Sequence, residues 1–131
     1  MKMLIVYVAS LVVFVGVDFL WLGRMGDAFY RPAMDGMALD GFRLAPAVVF
    51  YLLYALGIVF FAVSPALSAQ SWTAALLYGL AFGLVGYGVY DLTNQATLKS
   101  WPVALTLVDM DWGSFLTGLA SLAGYAAGRL A

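Results

Sequence analysis

The sequence predicts an all-α fold: an integral membrane bundle of four transmembrane helices. Three observations predict it. The chain is 65% hydrophobic and 10% charged, well above the ~45–50% apolar content of soluble domains. Its apolar residues gather into stretches that each reach the about 20 residues a bilayer crossing takes. The breaks between them hold most of the charge. With 131 residues there is room for one domain, a single four-span unit over residues 1–131.

Span one is expected over about 3–23, ended by Arg24. Lys2 followed by an apolar run resembles a signal peptide. The run continues past Asp18 to Trp21 without a small-x-small cleavage site, so it reads as a retained span. Loop one, Arg24 to Arg43, alternates charge through Asp27, Arg31, Asp35 and Asp40 and carries Phe29, Tyr30, Leu39 and Phe42. This pattern predicts a segment at the membrane interface, with a short helix after Pro32. Span two is expected over about 44–63, stopped by Ser64-Pro65, and span three over about 72–90. The short turn between them makes them antiparallel neighbours. Loop three follows from Asp91 to Trp101. Pro102 suits the first turn of span four, about 102–128, which at 1.5 Å per residue reaches about 40 Å and outruns a core of about 30 Å.

Alternating spans bring Asp18, Asp91 and Asp109 to one membrane surface. Arg24, Arg43 and Lys99 lie on that side as charge partners, and Asp111 stands at the headgroups. A carboxylate at a helix centre costs roughly 2.5–3.5 kcal/mol on insertion scales, so such acids mark a buried site or a structural ion pair. Asp18 has Arg24 and Arg43 as candidate ion-pair partners, and Asp91 has Lys99. The excess of basic residues in loops one and three places them in the cytoplasm. The expected location is the bacterial inner membrane. Val15-Gly-Val-Asp18 and Gly88-Val-Tyr-Asp91 form a faint internal repeat, as two hairpins related by an axis along the membrane normal would give.

Helical periodicity sets the faces. Span one aligns Tyr7, Ser10, Phe14, Asp18 and Trp21; span two aligns Tyr51 and Tyr54. Span three carries Gly79, Gly83 and Gly86, with Tyr90 one turn on. Span four carries Asp109, Gly113, Thr117 and Gly124. These small-residue faces predict close packing of spans three and four. Asp91, Thr93 and Asn94 read most simply as a helix boundary, since all three are good caps, and they also gather oxygens beside a carboxylate.

The composition excludes much. The chain has no Cys, His or Glu. That removes disulfides, thiolate nucleophiles and iron–sulfur ligands, together with the commonest metal and haem ligand and the Ser-His-Asp triad. No cofactor and no metal are expected, because the aspartate spacing matches no metal motif. The net charge of −1 offers no patch for nucleic acid. The expected partners are membrane lipids, a small-molecule ligand and a second copy of the chain, since four spans enclose little interior. The expected ligand or proton site comprises Asp18, Trp21, Tyr51, Tyr54, Tyr90, Asp91, Thr93, Asn94 and Asp109. It suits a small cationic or amphiphilic ligand, for binding or transport. A lipid-modifying enzyme and a non-catalytic accessory subunit are the alternatives, and whether the chain is an enzyme stays open.

Two segments carry a family resemblance. One runs Asp91-Leu-Thr-Asn-Gln-Ala-Thr-Leu-Lys-Ser-Trp-Pro102; the other is Val108-Asp-Met-Asp-Trp-Gly113. With Asp18-x-x-Trp21, they resemble the bacterial predicted-membrane-protein family of unknown function DUF2177. The resemblance implies a four-span membrane protein and no particular activity. Asp18, Trp21, Asp91, Thr93, Asn94, Thr97, Lys99, Trp101, Pro102, Asp109, Trp112 and Gly113 are carried over as family-pattern positions only.

Overall fold

The structure, a computed structural model, describes residues 1–34, 36–37 and 43–131. The described residues are helical, without strands, in the order α1 (Lys2–Met25), a π-turn (Gly26–Tyr30), α2 (Arg31–Met34), α3 (Leu44–Ile58), a second π-turn (Val59–Val63), α4 (Ser64–Ala69), α5 (Trp72–Thr97) and α6 (Val103–Leu130). Asp35, Leu39, Asp40 and Phe42 of loop one lie outside the described residues.

Among the described residues, three helical passages are long and apolar enough to cross a membrane: Lys2–Met34, Leu44–Ala69 and Trp72–Thr97. Their outward faces are apolar, with Val8 and Val12 on α1, Leu53 and Leu56 on α3, and Leu77 and Val85 on α5 all exposed. An exposed apolar surface of this extent is stable against lipid, not water. The fourth passage, α6, has the length but is less apolar, because it carries Asp109 and Asp111. It packs against both α1 and α5 and buries Leu116, Ala120 and Ser121. The least apolar helix is thus the one best shielded by the others.

Three helical passages run further than the sequence suggests, the first continuing through Arg24 to Met34. The passage expected to stop at Ser64-Pro65 continues to Ala69. A proline inside an α-helix lacks the N–H for the preceding carbonyl and clashes with it. Here the turn ahead of Pro65 widens, so that the Ser64 N–H bonds Val59 O, five residues back, and the chain passes without breaking. Pro32 stands at the same offset from its own π-turn, where the Arg31 N–H bonds Gly26 O. The true turn before α5 is short: Gln70 is left-handed at φ 53°, its N–H bonds Leu67 O, and the Ser71 N–H bonds Ala66 O. Ser71 then caps α5 by accepting from the Ala74 N–H at 3.1 Å.

α5 likewise passes through Tyr90 and ends at Thr97, so Asp91 lies inside the helix, not at its end. The cap reading of Thr93 gives way to another arrangement. Its hydroxyl donates back to the carbonyls of Val89 and Tyr90, and that of Thr97 donates to Thr93 O at 2.8 Å. Hydroxyls spent on their own helix cost it little in an apolar medium. The link to α6 shrinks to Leu98–Pro102.

The α5–α6 seam depends on missing side chains. A Cβ on Gly79 would come 2.9 Å from Gly118 Cα, and one on Gly83 would come 2.8 Å from Ser114 Cα. Ser114 Oγ bonds Leu80 O across the seam at 2.8 Å. Two expected packing residues serve other contacts: Gly86 faces the ring of Tyr54 on α3, and Gly124 faces Ser10 on α1 and Val63. Gly113 leaves room for the Tyr87 ring, and Thr117 donates to Gly113 O at 2.7 Å.

Gly83→Leu must push two backbones apart and is expected to lower stability by about 1–3 kcal/mol. Gly16→Leu, where nothing lies within 4 Å of an added Cβ, is expected to stay within about 0.5 kcal/mol. Unfolding in mixed detergent micelles measures both.

Candidate functional site

A cavity of about 700 Å³ opens among α1, α3, α5 and α6 at one end of the bundle. Asp18, Asp91 and Asp109 all line it, each from a different helix. Asp18 accepts a hydrogen bond from the Tyr51 hydroxyl at 2.6 Å and one from Trp112 Nε1 at 3.1 Å. Asp109 accepts from the Tyr30 hydroxyl at 2.8 Å, and Tyr30 accepts in turn from Trp21 Nε1 at 3.0 Å. The two networks cross over: α6 supplies the indole for the acid of α1, and α1 supplies the indole behind the acid of α6. The indoles of Trp21 and Trp112 stack at 4.3 Å and 9°; aromatic pairs add about 0.5–1.5 kcal/mol beyond burial.

Asp91 is different. It is fully buried, and neither carboxyl oxygen has an ordinary hydrogen-bond partner among the described residues. The group it faces is the carboxyl of Asp109. Two carboxyl groups in low dielectric do not both stay charged without a positive charge between them. The pair therefore calls for a proton or a cation. Beneath it, Trp101 Nε1 donates to Thr106 Oγ at 3.0 Å, and that hydroxyl reaches Asp91 O at 3.4 Å.

The rest of the wall is aromatic and apolar, including Phe50, Tyr54, Phe82, Tyr87, Tyr90 and Trp101. Thr117 already donates to Gly113 O, so the Tyr54 hydroxyl is the donor in its 2.8 Å contact with Thr117. No Arg or Lys occurs in the lining among the described residues. The ion pairs weighed for Asp18 and Asp91 are not formed there: among the described residues, Arg24, Arg43 and Lys99 pair with neither acid. The described ion pair is Arg31 with Asp27 at 3.3 Å on the surface. No group of three carboxylates converges closely enough to hold a metal ion among the described residues.

Of the expected site residues, Asp18, Tyr54, Tyr90, Asp91 and Asp109 line the cavity, while Tyr51 and Trp21 stand one hydrogen bond behind it. Thr93 and Asn94 are not in the lining. Tyr30, Tyr87, Trp101 and Trp112 are site residues that the sequence did not assign. Tyr30 is the instructive case, because loop one read as interfacial. Tyr30 instead lies 8% exposed, packed with Trp101 and Leu105 over the cavity end. At roughly 100° per residue, a regular helix would turn Tyr30 about 120° away from Asp18. The π-turn adds the equivalent of one residue and returns it to within about 20° of that face. The signal was Pro32 two residues after Tyr30, which marks where the widened turn must fall.

Trp21→Phe and Trp112→Phe are each expected to abolish the near-ultraviolet circular dichroism band of the stacked indoles. Tyr30→Phe, which leaves the Trp21 N–H and the Asp109 carboxyl without each other's relay, is expected to cost about 1–3 kcal/mol of stability. Detergent titration checks the second figure.

No curated protein and no solved structure matches the chain. A family model does match it, that of the predicted membrane protein family DUF2177, over residues 3–126. Together with the apolar helices and the helical bundle, that near-complete match makes the chain a member of the predicted membrane protein family DUF2177.

Proposed function

We propose that this protein binds a small organic cation in the cavity. The observation that carries this reading is a wall with three carboxyl groups, an aromatic surround and no basic side chain among its described residues. Carboxylates supply the counter-charge. The aromatic side chains of the wall, Tyr87, Tyr90 and Trp101 among them, would supply the quadrupole attraction that holds alkylammonium groups, worth about 0.5–2 kcal/mol each depending on desolvation. A volume of about 700 Å³ falls in the ordinary range of small-molecule sites.

The roles differ between the acids. Asp18 and Asp109 are held in place by donors from other segments, so they form a fixed negative wall. Asp91 meets no ordinary hydrogen-bond donor among the described residues and faces Asp109, so this pair is where a positive charge gains most. A proton and a cation would compete for the pair, which makes the site suited to exchanging one for the other. An anionic lipid headgroup, the ligand a lipid-modifying enzyme would hold, finds no basic side chain in the described wall.

Tetraethylammonium binding to protein in proteoliposomes tests the reading. Asp91→Asn and Asp109→Asn are each expected to weaken binding by about tenfold or more, equivalent to about 1.4 kcal/mol. Lowering the pH is expected to weaken binding to the unaltered protein, since protons occupy the same oxygens. Unchanged affinity in both variants, with no pH dependence, would exclude this function.

A further inference from the structure

The cavity has a second notable feature besides its acids, namely where its mouth lies. Phe50 on α3 and Val89 and Tyr90 on α5 line the cavity and are 42%, 63% and 50% exposed. α3 and α5 meet around Tyr54 and Phe82, whose rings stack at 5.1 Å. α3 also packs on α1, where Phe14 meets Tyr54 at 4.9 Å and Phe50 at 6.3 Å. The cavity wall on this side is bordered by exposed residues of both helices, Phe50 from α3 and Val89 and Tyr90 from α5.

We infer that the cavity is filled from within the bilayer, through the gap between α3 and α5, by a single-chain amphiphile with a cationic head. The head reaches the Asp91–Asp109 pair and the chain leaves between Phe50 and Val89. This inference rests on the cation reading above and adds the route and the ligand class. Charge and polarity select the occupant. The deep end holds a fully buried Asp91 that faces Asp109 and meets no ordinary hydrogen-bond donor among the described residues, and the mouth is apolar and aromatic. A phospholipid would bring a phosphate, and no basic residue of the described wall meets it. An alkylammonium amphiphile satisfies both ends. Its apolar chain stays in hydrocarbon throughout, so entry costs no desolvation of the tail.

The test uses the full chain in lipid nanodiscs, titrated with radiolabelled dodecyltrimethylammonium, tetramethylammonium and dodecylphosphocholine. Partition into empty discs is subtracted. Dodecyltrimethylammonium is expected to bind at least about tenfold more tightly than either of the others. Val89→Trp, and independently Phe50→Trp on the facing wall, narrow the gap from exposed positions. Each is expected to bring the ratio of long-chain to tetramethylammonium affinity down toward about one. Two results overturn the lateral route while the cation site stands: tetramethylammonium binding as tightly as the long-chain cation, or a ratio that neither variant moves. Equal binding of dodecylphosphocholine overturns the assigned head chemistry. Binding of neither cation overturns both this inference and the reading beneath it.

Discussion

The close approach of α5 to α6 is the constraint on which the site depends. Gly79 lies over Gly118 and Gly83 over Gly113 and Ser114, at separations that leave no space for a side chain. Hydrophobic burial drives no helix association within lipid, so such contacts rest on dispersion and short hydrogen bonds. The crossing at Gly83 fixes where the two helices lie beyond it. Asp91, two turns further along α5, comes to face Asp109, one turn earlier on α6. A wider seam would let water between them or move them to separate surroundings, and the pair would lose its character.

Around this seam the protein divides its polar groups by task. Hydroxyls of Thr93, Thr97, Thr117 and Ser121 return to carbonyls of their own helices, where they satisfy themselves at little cost. Tyr30, Tyr51, Trp21 and Trp112 are spent holding Asp18 and Asp109. One buried carboxyl, Asp91, has no ordinary partner among the described residues. A buried group without a partner costs free energy that folding alone does not recover. Its presence beside an aromatic cavity is the observation on which the proposed cation site rests.

The two π-turns work to opposite ends. In Val59–Val63 the wide turn lets one membrane passage continue past Pro65, so that α4 can cover the far end of α5. In Gly26–Tyr30 it re-aims a side chain and closes the acidic end of the cavity with Tyr30, Trp101 and Leu105. Each is placed by a proline two residues on.

By itself the sequence determined a great deal. Apolar run length and the position of charge settle a helical membrane bundle, and the alternation of passages puts Asp18, Asp91 and Asp109 at one end. Glycine spacing foretold the seam between α5 and α6. The partners were decided by tertiary structure alone. Nothing local says that Trp112 serves Asp18, that Trp21 serves Asp109 through Tyr30, or that Arg24, Arg43 and Lys99 pair with neither Asp18 nor Asp91. Periodicity reports which face a residue occupies within one regular helix, and a π-turn resets that count. Which donor meets which acid depends on how far apart four backbones stand, and that distance is set by side chains on helices far apart in the sequence.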